Sequence, residues 1–175
     1  TDRQIQLNIQ YARSGEPGEL AELLLAMSGR VHAVAATGPD HHDVTAAVSV
    51  LKNRGIPTFS LLTDLAQGVR EAYLGTNNMK VGRSAAWMIS KVSRPGKVLL
   101  FLGGHRFHGH SLREMGFRAY MREYAPDFQV LDALINLETR RLTYEMLLGT
   151  LSRHPDLVGV YCMGGGMEGA IEALK

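Results

Sequence analysis

Cysteine is nearly absent from this chain of 175 residues, and long hydrophobic runs are absent altogether. Cys162 is the only cysteine, so no disulfide can form within the chain and a zinc site built on cysteines is excluded. A reducing cytoplasm fits this composition. No apolar stretch approaches the roughly 20 residues that a membrane-spanning helix needs. Residues 1–10 do not have the layout of a signal peptide.

A strong charge of either sign is also lacking. The 19 basic and 17 acidic residues give a net charge of +2, and no run of Lys and Arg occurs. The charge balance therefore gives no electrostatic argument for nucleic-acid binding by these residues. Hydrophobic residues make up 45% of the chain and charged residues 21%, which is typical of a soluble globular protein. The length suits one domain or two small lobes.

Short apolar runs alternate with helical patterns along the sequence. The runs predict strands at 5–11, 31–37, 56–62, 97–103, 128–135 and 157–163, with a short connecting strand within 72–77. The helical patterns predict helices at 18–28, 41–54, 78–93, 110–124, 139–153 and 166–174. This alternation predicts an α/β fold of βαβ units, in which helices cover both faces of parallel sheets.

The predicted elements fall into two halves, 1–63 and 97–175, with three strands each. Ligands of doubly wound sheets bind beyond the carboxyl ends of the strands. The loops expected at those ends are 37–42, 62–68, 103–111, 135–140 and 162–168. One of them contains three of the seven histidines, His105, His108 and His110, and Arg113 follows closely. Their position favours a functional role for this loop.

Three segments resemble the lactose-repressor-type (LacI/GalR) transcriptional regulators. They are GIPTFSLLTDLAQGVREAYLGTNNMKVGRSAAWMI (55–89), SLREMGFRAYMREY (111–124) and DLVGVYCMGGGMEGAIEAL (156–174). The second carries the family's Arg three residues before Gly-Phe, and the third its strand, glycine-rich turn and helix. The segments occur in the family's order and spacing, and the resemblance spans about residues 31–175.

The resemblance implies a type I periplasmic-binding-protein fold. Its two Rossmann-like lobes would be residues 1–72, lacking the first strand and helix, and residues 73–175, truncated. A hinge would join the lobes, and a sugar or other small polar effector would bind in the cleft. The resemblance further implies a cytoplasmic homodimer that contacts DNA only through a helix-turn-helix domain outside this chain. We expect no cofactor, no metal, no membrane contact and no enzymatic activity.

The first strand of that family would precede Thr1 and lie inside the sheet, between the strands predicted at 5–11 and 31–37. Without it, both strands lose backbone partners, and open apolar edges invite pairing with another chain. We therefore expect the 175-residue chain either to dimerise or swap elements through these edges, or to leave residues 1–15 displaced from their family positions.

Arg113 and His110 are the leading candidates for ligand contacts. The guanidinium of Arg113 offers five donors in a rigid fork and can grip neighbouring hydroxyls or a carboxylate, and the resemblance implies an effector contact for it. Neutral imidazole both donates and accepts hydrogen bonds, so His110, one turn before Arg113, suits a sugar, as does His105. The spacing His-x-x-His-x-His lacks a helical i, i+4 pair, which argues against a metal site in this loop.

Asp64 and Asp40 end strand segments, where their carboxylates can accept hydrogen bonds from hydroxyls. Either can instead cap a helix, and for Asp40 the two roles are equally supported. Asn78 is interpreted as a cap of the helix that follows it. Cys162 and Gly164 also belong to the predicted site, because glycine lets the backbone approach a ligand at a helix N-terminus. A buried strand-end cysteine is otherwise a small hydrophobic residue.

Two other functions fit parts of the sequence. A periplasmic sugar-binding protein of a transporter has the same fold as the regulators, and the upstream sequence would distinguish them by a signal peptide or a helix-turn-helix. Residues 164–169 match G-x-G-x-x-G between a strand and a helix, which indicates a nucleotide-binding enzyme. That motif normally follows the first strand of its fold, whereas here it follows the last.

Overall fold

The computed structural model describes residues 4–104 and 107–175. It confirms the predicted α/β class. The chain forms two compact units, of which the first ends at Gly75 and the second begins at Thr76. No helix within the described ranges combines the length and the apolar character required to cross a membrane.

The first unit is a three-stranded parallel sheet with two helices. Its elements are α1 (Pro17–Ala26), β1 (Val34–Ala36), α2 (His42–Asn53), β2 (Thr58–Leu61) and β3 (Ala72–Leu74). The strands lie in the order β1-β2-β3. Because α2 connects β1 to the parallel β2, these three elements form one βαβ unit.

The core of the first unit follows from the spacing of apolar residues in α2. Val44, Ala47, Val48 and Leu51 recur at i, i+3, i+4 and i+7, so they share one face of the helix and are buried. They pack in a single cluster with Leu24 of α1 and with residues of β1.

The second unit is built around one central strand. Its elements are α3 (Asn78–Val92), β4 (Lys97–Leu102), α4 (His108–Tyr124), β5 (Gln129–Val130), β6 (Leu134–Ile135), α5 (Arg140–Arg153), β7 (Leu157–Cys162) and α6 (Met167–Ala173). The strand β4 pairs in parallel with β5, β6 and β7. Its residues 98–102 are all buried, as expected for a continuous apolar run covered on both faces.

The helices α3 and α4 touch through their backbones. A Cβ atom added to Gly82 would overlap the carbonyl oxygen of Arg113, and one added to Gly116 would overlap that of Met79. Only glycine therefore permits this spacing. The contact sets Arg113 close to the first turn of α3.

The predicted strand at 5–11 is wrong. Residues 4–12 form neither helix nor strand, and the alternating Ile5, Leu7, Ile9 and Tyr11 are 66–86% exposed. Alternation specifies a strand only where a neighbouring strand supplies backbone partners, and none pairs with this segment in the described part of the chain. The strand β1 accordingly pairs with β2 alone among the described residues.

The strand predicted at 128–135 divides into the shorter β5 and β6. Both pair with β4, at its two ends. Between them the carbonyl group of Leu131 accepts a hydrogen bond of 2.8 Å from Nη2 of Arg118. The N–H of Leu131 still donates to the carbonyl of Val98 in β4, so at the interruption the Arg118 side chain satisfies only the Leu131 carbonyl.

Candidate functional site

Arg113 is held by two elements of the second unit. Its Nε donates to Oδ1 of Asn78 over 2.8 Å, and its Nη1 donates to the carbonyl oxygen of Met163, just beyond β7. The guanidinium plane is therefore fixed before any ligand arrives. Such a preset fork loses little side-chain entropy when it forms a further hydrogen bond.

His110 lies beside Arg113 in the first turn of α4 and is only 8% exposed. Its Nδ1 accepts a hydrogen bond of 3.3 Å from the backbone N–H of Gly103, and its Nε2 lies 3.7 Å from Oε1 of Glu138. Burial lowers the pKa of His110. The negative charge of Glu138 acts to raise it, and the positive charge of Arg113 lowers it further. The neutral ring thus carries its proton on Nε2, on the side of Glu138. His105 lies outside the described residues.

Glu138 completes this group of side chains and was not predicted. Glu138 and the preceding Leu137 have φ values of 58° and 50°, a left-handed conformation that costs a non-glycine residue about 1–3 kcal/mol. The Glu138 carboxylate accepts a hydrogen bond of 3.2 Å from the N–H of Gly165. The strained loop thereby presents an acceptor over the ends of β4 and β7.

Asn136 holds the strained loop in place. Its side chain is buried; Nδ2 donates to Oγ1 of Thr143 and to the carbonyl of Gly165, over 2.8 and 2.9 Å. Its Oδ1 accepts from the N–H of Glu138 over 3.0 Å. Asn136 was also missed in the sequence. Its position could have identified it, because the loop 135–140 is one of the five loops predicted at the carboxyl ends of strands.

Two glycines, Gly103 and Gly164, pack directly against the Glu138 side chain. A Cβ on Gly103 or Gly164 would overlap the Glu138 side chain, and one on Gly164 would also meet the His110 ring at 2.7 Å. Gly164 therefore lies directly against the side chains of Glu138 and His110. We call Asn78, His110, Arg113, Asn136 and Glu138, with Gly103, Gly164 and Gly165, the carboxyl-end cluster.

Cys162 ends β7 next to this cluster. The thiol is half-buried, and burial, helped by Glu168, raises its pKa to about 11. The thiol is thus protonated at neutral pH, which does not favour a nucleophilic role. It packs with the apolar residues around Phe101 and Leu147.

Asp64 in the first unit is engaged by a neighbouring cation. Its carboxylate accepts from Nε and Nη2 of Arg70 over 2.5 and 2.9 Å, and further bonds come from Ser60 and Gln67. Burial favours the neutral acid, but the hydrogen bonds and charge of Arg70 outweigh it and lower the pKa of Asp64. Asp64 is therefore an ionised, pre-oriented carboxylate, 9% exposed, at the carboxyl end of β2.

The capping role considered for Asp40 and the cap predicted at Asn78 both fall to the neighbouring residue. The residue that caps α2 is His41, whereas Oδ1 of Asp40 accepts from the N–H of Ala66 over 2.9 Å and so ties the loop after β1 to the loop after β2. Asn77 caps α3 by accepting from the N–H of Lys80, while the buried Asn78 faces Arg113. In both pairs of adjacent polar residues, the sequence rule placed the cap one residue off.

Protonation of His110 should destabilise the second unit. Its folded-state pKa lies below the ordinary value of about 6.5, so the unfolded chain binds more protons between the two values. The stability that the fold gains with a neutral His110 is fully present above the pKa of the unfolded chain. It is lost as the pH falls from that value through the lower pKa of the folded state. We expect the melting temperature to fall as the pH is lowered from 7.5 to 5.5. The fluorescence of Trp87 in α3 monitors the unfolding.

The matched variants separate this effect from general acid unfolding. His110→Gln should flatten the decline, whereas His108→Gln, in the same helical turn, should leave it unchanged. An undiminished decline in the His110→Gln protein would contradict the assignment.

Two α/β units with parallel sheets, and polar side chains gathered at the carboxyl ends of strands, match the type I periplasmic-binding-protein fold, and the comparisons with known proteins identify it. The sequence comparison gives the family. A model of the periplasmic binding protein domain matches residues 5–175, and the chain belongs to that family. A comparison with curated proteins finds no match.

Solved structures of similar fold include several solute-binding proteins. A Burkholderia graminis ABC transporter solute-binding protein in complex with D-arabinose has 20% identity and a TM-score of 0.84, over 91% of this chain and 56% of that one. One from Actinobacillus succinogenes with bound D-allose has 21% identity and a TM-score of 0.78, over 88% and 58%. The XylFII molecule has 20% identity and a TM-score of 0.78, over 92% and 59%. The chain thus spans less than two thirds of these proteins.

Proposed function

We propose that this chain binds a sugar or a related small polyhydroxylated molecule. The observation that carries the proposal is the grouping of Arg113, His110 and Glu138 at one edge of the second unit. A guanidinium, an imidazole N–H and a carboxylate together offer fixed donors and a fixed acceptor. Sugar hydroxyls need both, because each can donate one hydrogen bond and accept others.

The energies of such contacts suit reversible binding. A neutral hydrogen bond contributes about 0.5–1.5 kcal/mol net, and one to a charged group about 1.5–3 kcal/mol. The first unit has a pre-oriented carboxylate of its own in Asp64. The solved neighbours with D-arabinose and D-allose support the choice of sugars as the ligand class.

The solved neighbours favour a transporter's solute-binding protein as the physiological role. A second candidate is the effector-binding part of a lactose-repressor-type regulator, favoured by the three ordered segments at 55–89, 111–124 and 156–174. In that role the ligand would shift a conformational equilibrium and so change attached DNA-binding domains in a cytoplasmic homodimer. Fractionation of cells that express the native gene separates the two roles, because a solute-binding protein is exported and a regulator is retained.

Binding is tested by a thermal-shift screen against pentoses, hexoses, polyols and sugar acids. A ligand present at 100 times its dissociation constant should stabilise the protein by about 2.7 kcal/mol. The same screen with dinucleotides tests the enzyme alternative raised by residues 164–169. A shift from dinucleotides and none from any sugar or polyol would overturn the proposal.

A further inference from the structure

Three metal-binding side chains meet where α2 begins. His41 is the N-cap, and His42 and Asp43 occupy the first turn. Nδ1 of His41 lies 3.3 Å from Oδ2 of Asp43, and Nε2 of His42 lies 3.2 Å from Oδ1 of the same carboxylate. One donor atom from each residue lies within 4.8 Å of the other two.

Ligands bound at about 2.0–2.1 Å in a tetrahedral site lie about 3.3–3.4 Å apart. Each imidazole nitrogen already lies at about that distance from one oxygen of Asp43, His41 from Oδ2 and His42 from Oδ1. Small side-chain rotations would bring both nitrogens and the carboxylate around one ion. The extended conformation of His41 brings its ring to 4.0 Å from that of His42, so adjacent residues face one another without the i, i+4 spacing of helical metal sites. A sequence search for that spacing therefore misses them.

We propose that His41, His42 and Asp43 bind one divalent transition-metal ion of the zinc, nickel or copper group. Two imidazole nitrogens and one carboxylate suit these ions, whereas calcium and magnesium require oxygen ligands. Three protein ligands leave at least one position to water. The side chains of His42 and Asp43 are 82% and 50% exposed, so the ion can enter without unfolding the first unit.

Local electrostatics moderate the affinity of this site. The positive end of the helix dipole opposes a cation, and the negative carboxylate of Asp43 counters that effect. Binding also replaces the long hydrogen bond of 3.4 Å from the Asp43 N–H to Nδ1 of His41. The site should be weaker than a closed structural zinc site, because it has three protein ligands and is exposed to solvent.

Isothermal titration of the tag-free 175-residue chain with Zn²⁺ and Ni²⁺ tests the proposal. We expect one ion per chain at this site, and an affinity lower by about tenfold or more in His42→Ala and in Asp43→Asn. His32→Ala, which removes another exposed histidine of the first unit, is the matched control and should bind as the unaltered chain does. Circular dichroism verifies that each variant is folded.

A double variant, His105→Ala with His108→Ala, separates this site from the histidine loop 103–111. Retained binding in the double variant, with loss in folded His42→Ala, supports the site at α2. The opposite pattern overturns it and also contradicts the expectation that the histidine loop binds no metal. Equal affinity in all variants, or no heat of binding with either ion, likewise overturns the proposal. None of these outcomes depends on sugar binding.

Discussion

Arg113→Ala should weaken sugar binding by about 10- to 150-fold, the equivalent of about 1.5–3 kcal/mol for a charge-assisted contact. The expected loss is large because Asn78 and Met163 hold the guanidinium in one orientation, so the ligand meets a preset donor fork. Alanine removes that fork. Titration of the sugar found by the thermal-shift screen measures the effect.

Two further variants identify the cause of the loss. Arg113→Lys keeps the charge but not the fork, so it should recover only part of the affinity. Arg122→Ala, in the last turn of the same helix, removes an exposed arginine and should bind as the unaltered protein does. Undiminished affinity in a folded Arg113→Ala protein would show that Arg113 serves only to join α3, α4 and the end of β7.

Local patterns were sufficient to predict most of the fold. The apolar stripe of α2 and the apolar run of β4 each specify an element together with its burial, and all six predicted helices occur close to their predicted limits. The segment 5–11 has an equally clear alternation but forms no strand. A strand requires hydrogen bonds from a neighbour, and no local pattern shows whether that neighbour is present.

The site was predictable where residue type alone identifies a role. Arg113 and His110 were singled out because a guanidinium and an imidazole in a strand-end loop can bind polar groups, and their contact with a ligand stays a prediction. Glu138 was missed because its placement depends on a left-handed backbone at two non-glycine residues, which is imposed by the buried Asn136 rather than by Leu137 or Glu138. Strain of this kind is maintained by tertiary contacts and leaves no local sequence pattern.

Asp64 illustrates a different limit. Its acidic side chain at a strand end indicated a ligand contact, but its strongest partner is Arg70, six residues later in the chain. The pairing arises from the turn that contains Ala66, itself at a φ of 52°. The sequence pointed to the Asp64 carboxylate as a hydrogen-bond acceptor, but not to Arg70 as the cation that orients it. Whether Asp64 contacts the ligand stays a prediction.

Gly116→Ala should destabilise the second unit by about 2 kcal/mol or more. The added Cβ would overlap the carbonyl oxygen of Met79, so α3 and α4 must separate. Overpacking of this kind costs about 1–3 kcal/mol and occasionally more. The clash here is with the backbone rather than with a flexible side chain, so we expect a cost of about 3 kcal/mol or more, of which the better helix propensity of alanine returns about 1 kcal/mol. For a unit of this size, the loss corresponds to a melting temperature lower by about 8–16 °C.

Gly149→Ala is the matched control, because it makes the same change inside α5, where an added Cβ meets no atom within 4 Å. There only the propensity gain remains, so this variant should be more stable than the unaltered protein by up to about 1 kcal/mol. Trp87, the chain's only tryptophan, lies in α3 and reports unfolding of the second unit in urea. If both variants were equally stabilised, backbone contact between α3 and α4 would not restrict residue 116. If instead the signs are opposite and the Gly116→Ala protein also binds sugar more weakly, the helix spacing sets both the stability of this unit and the position of Arg113 beside Asn78.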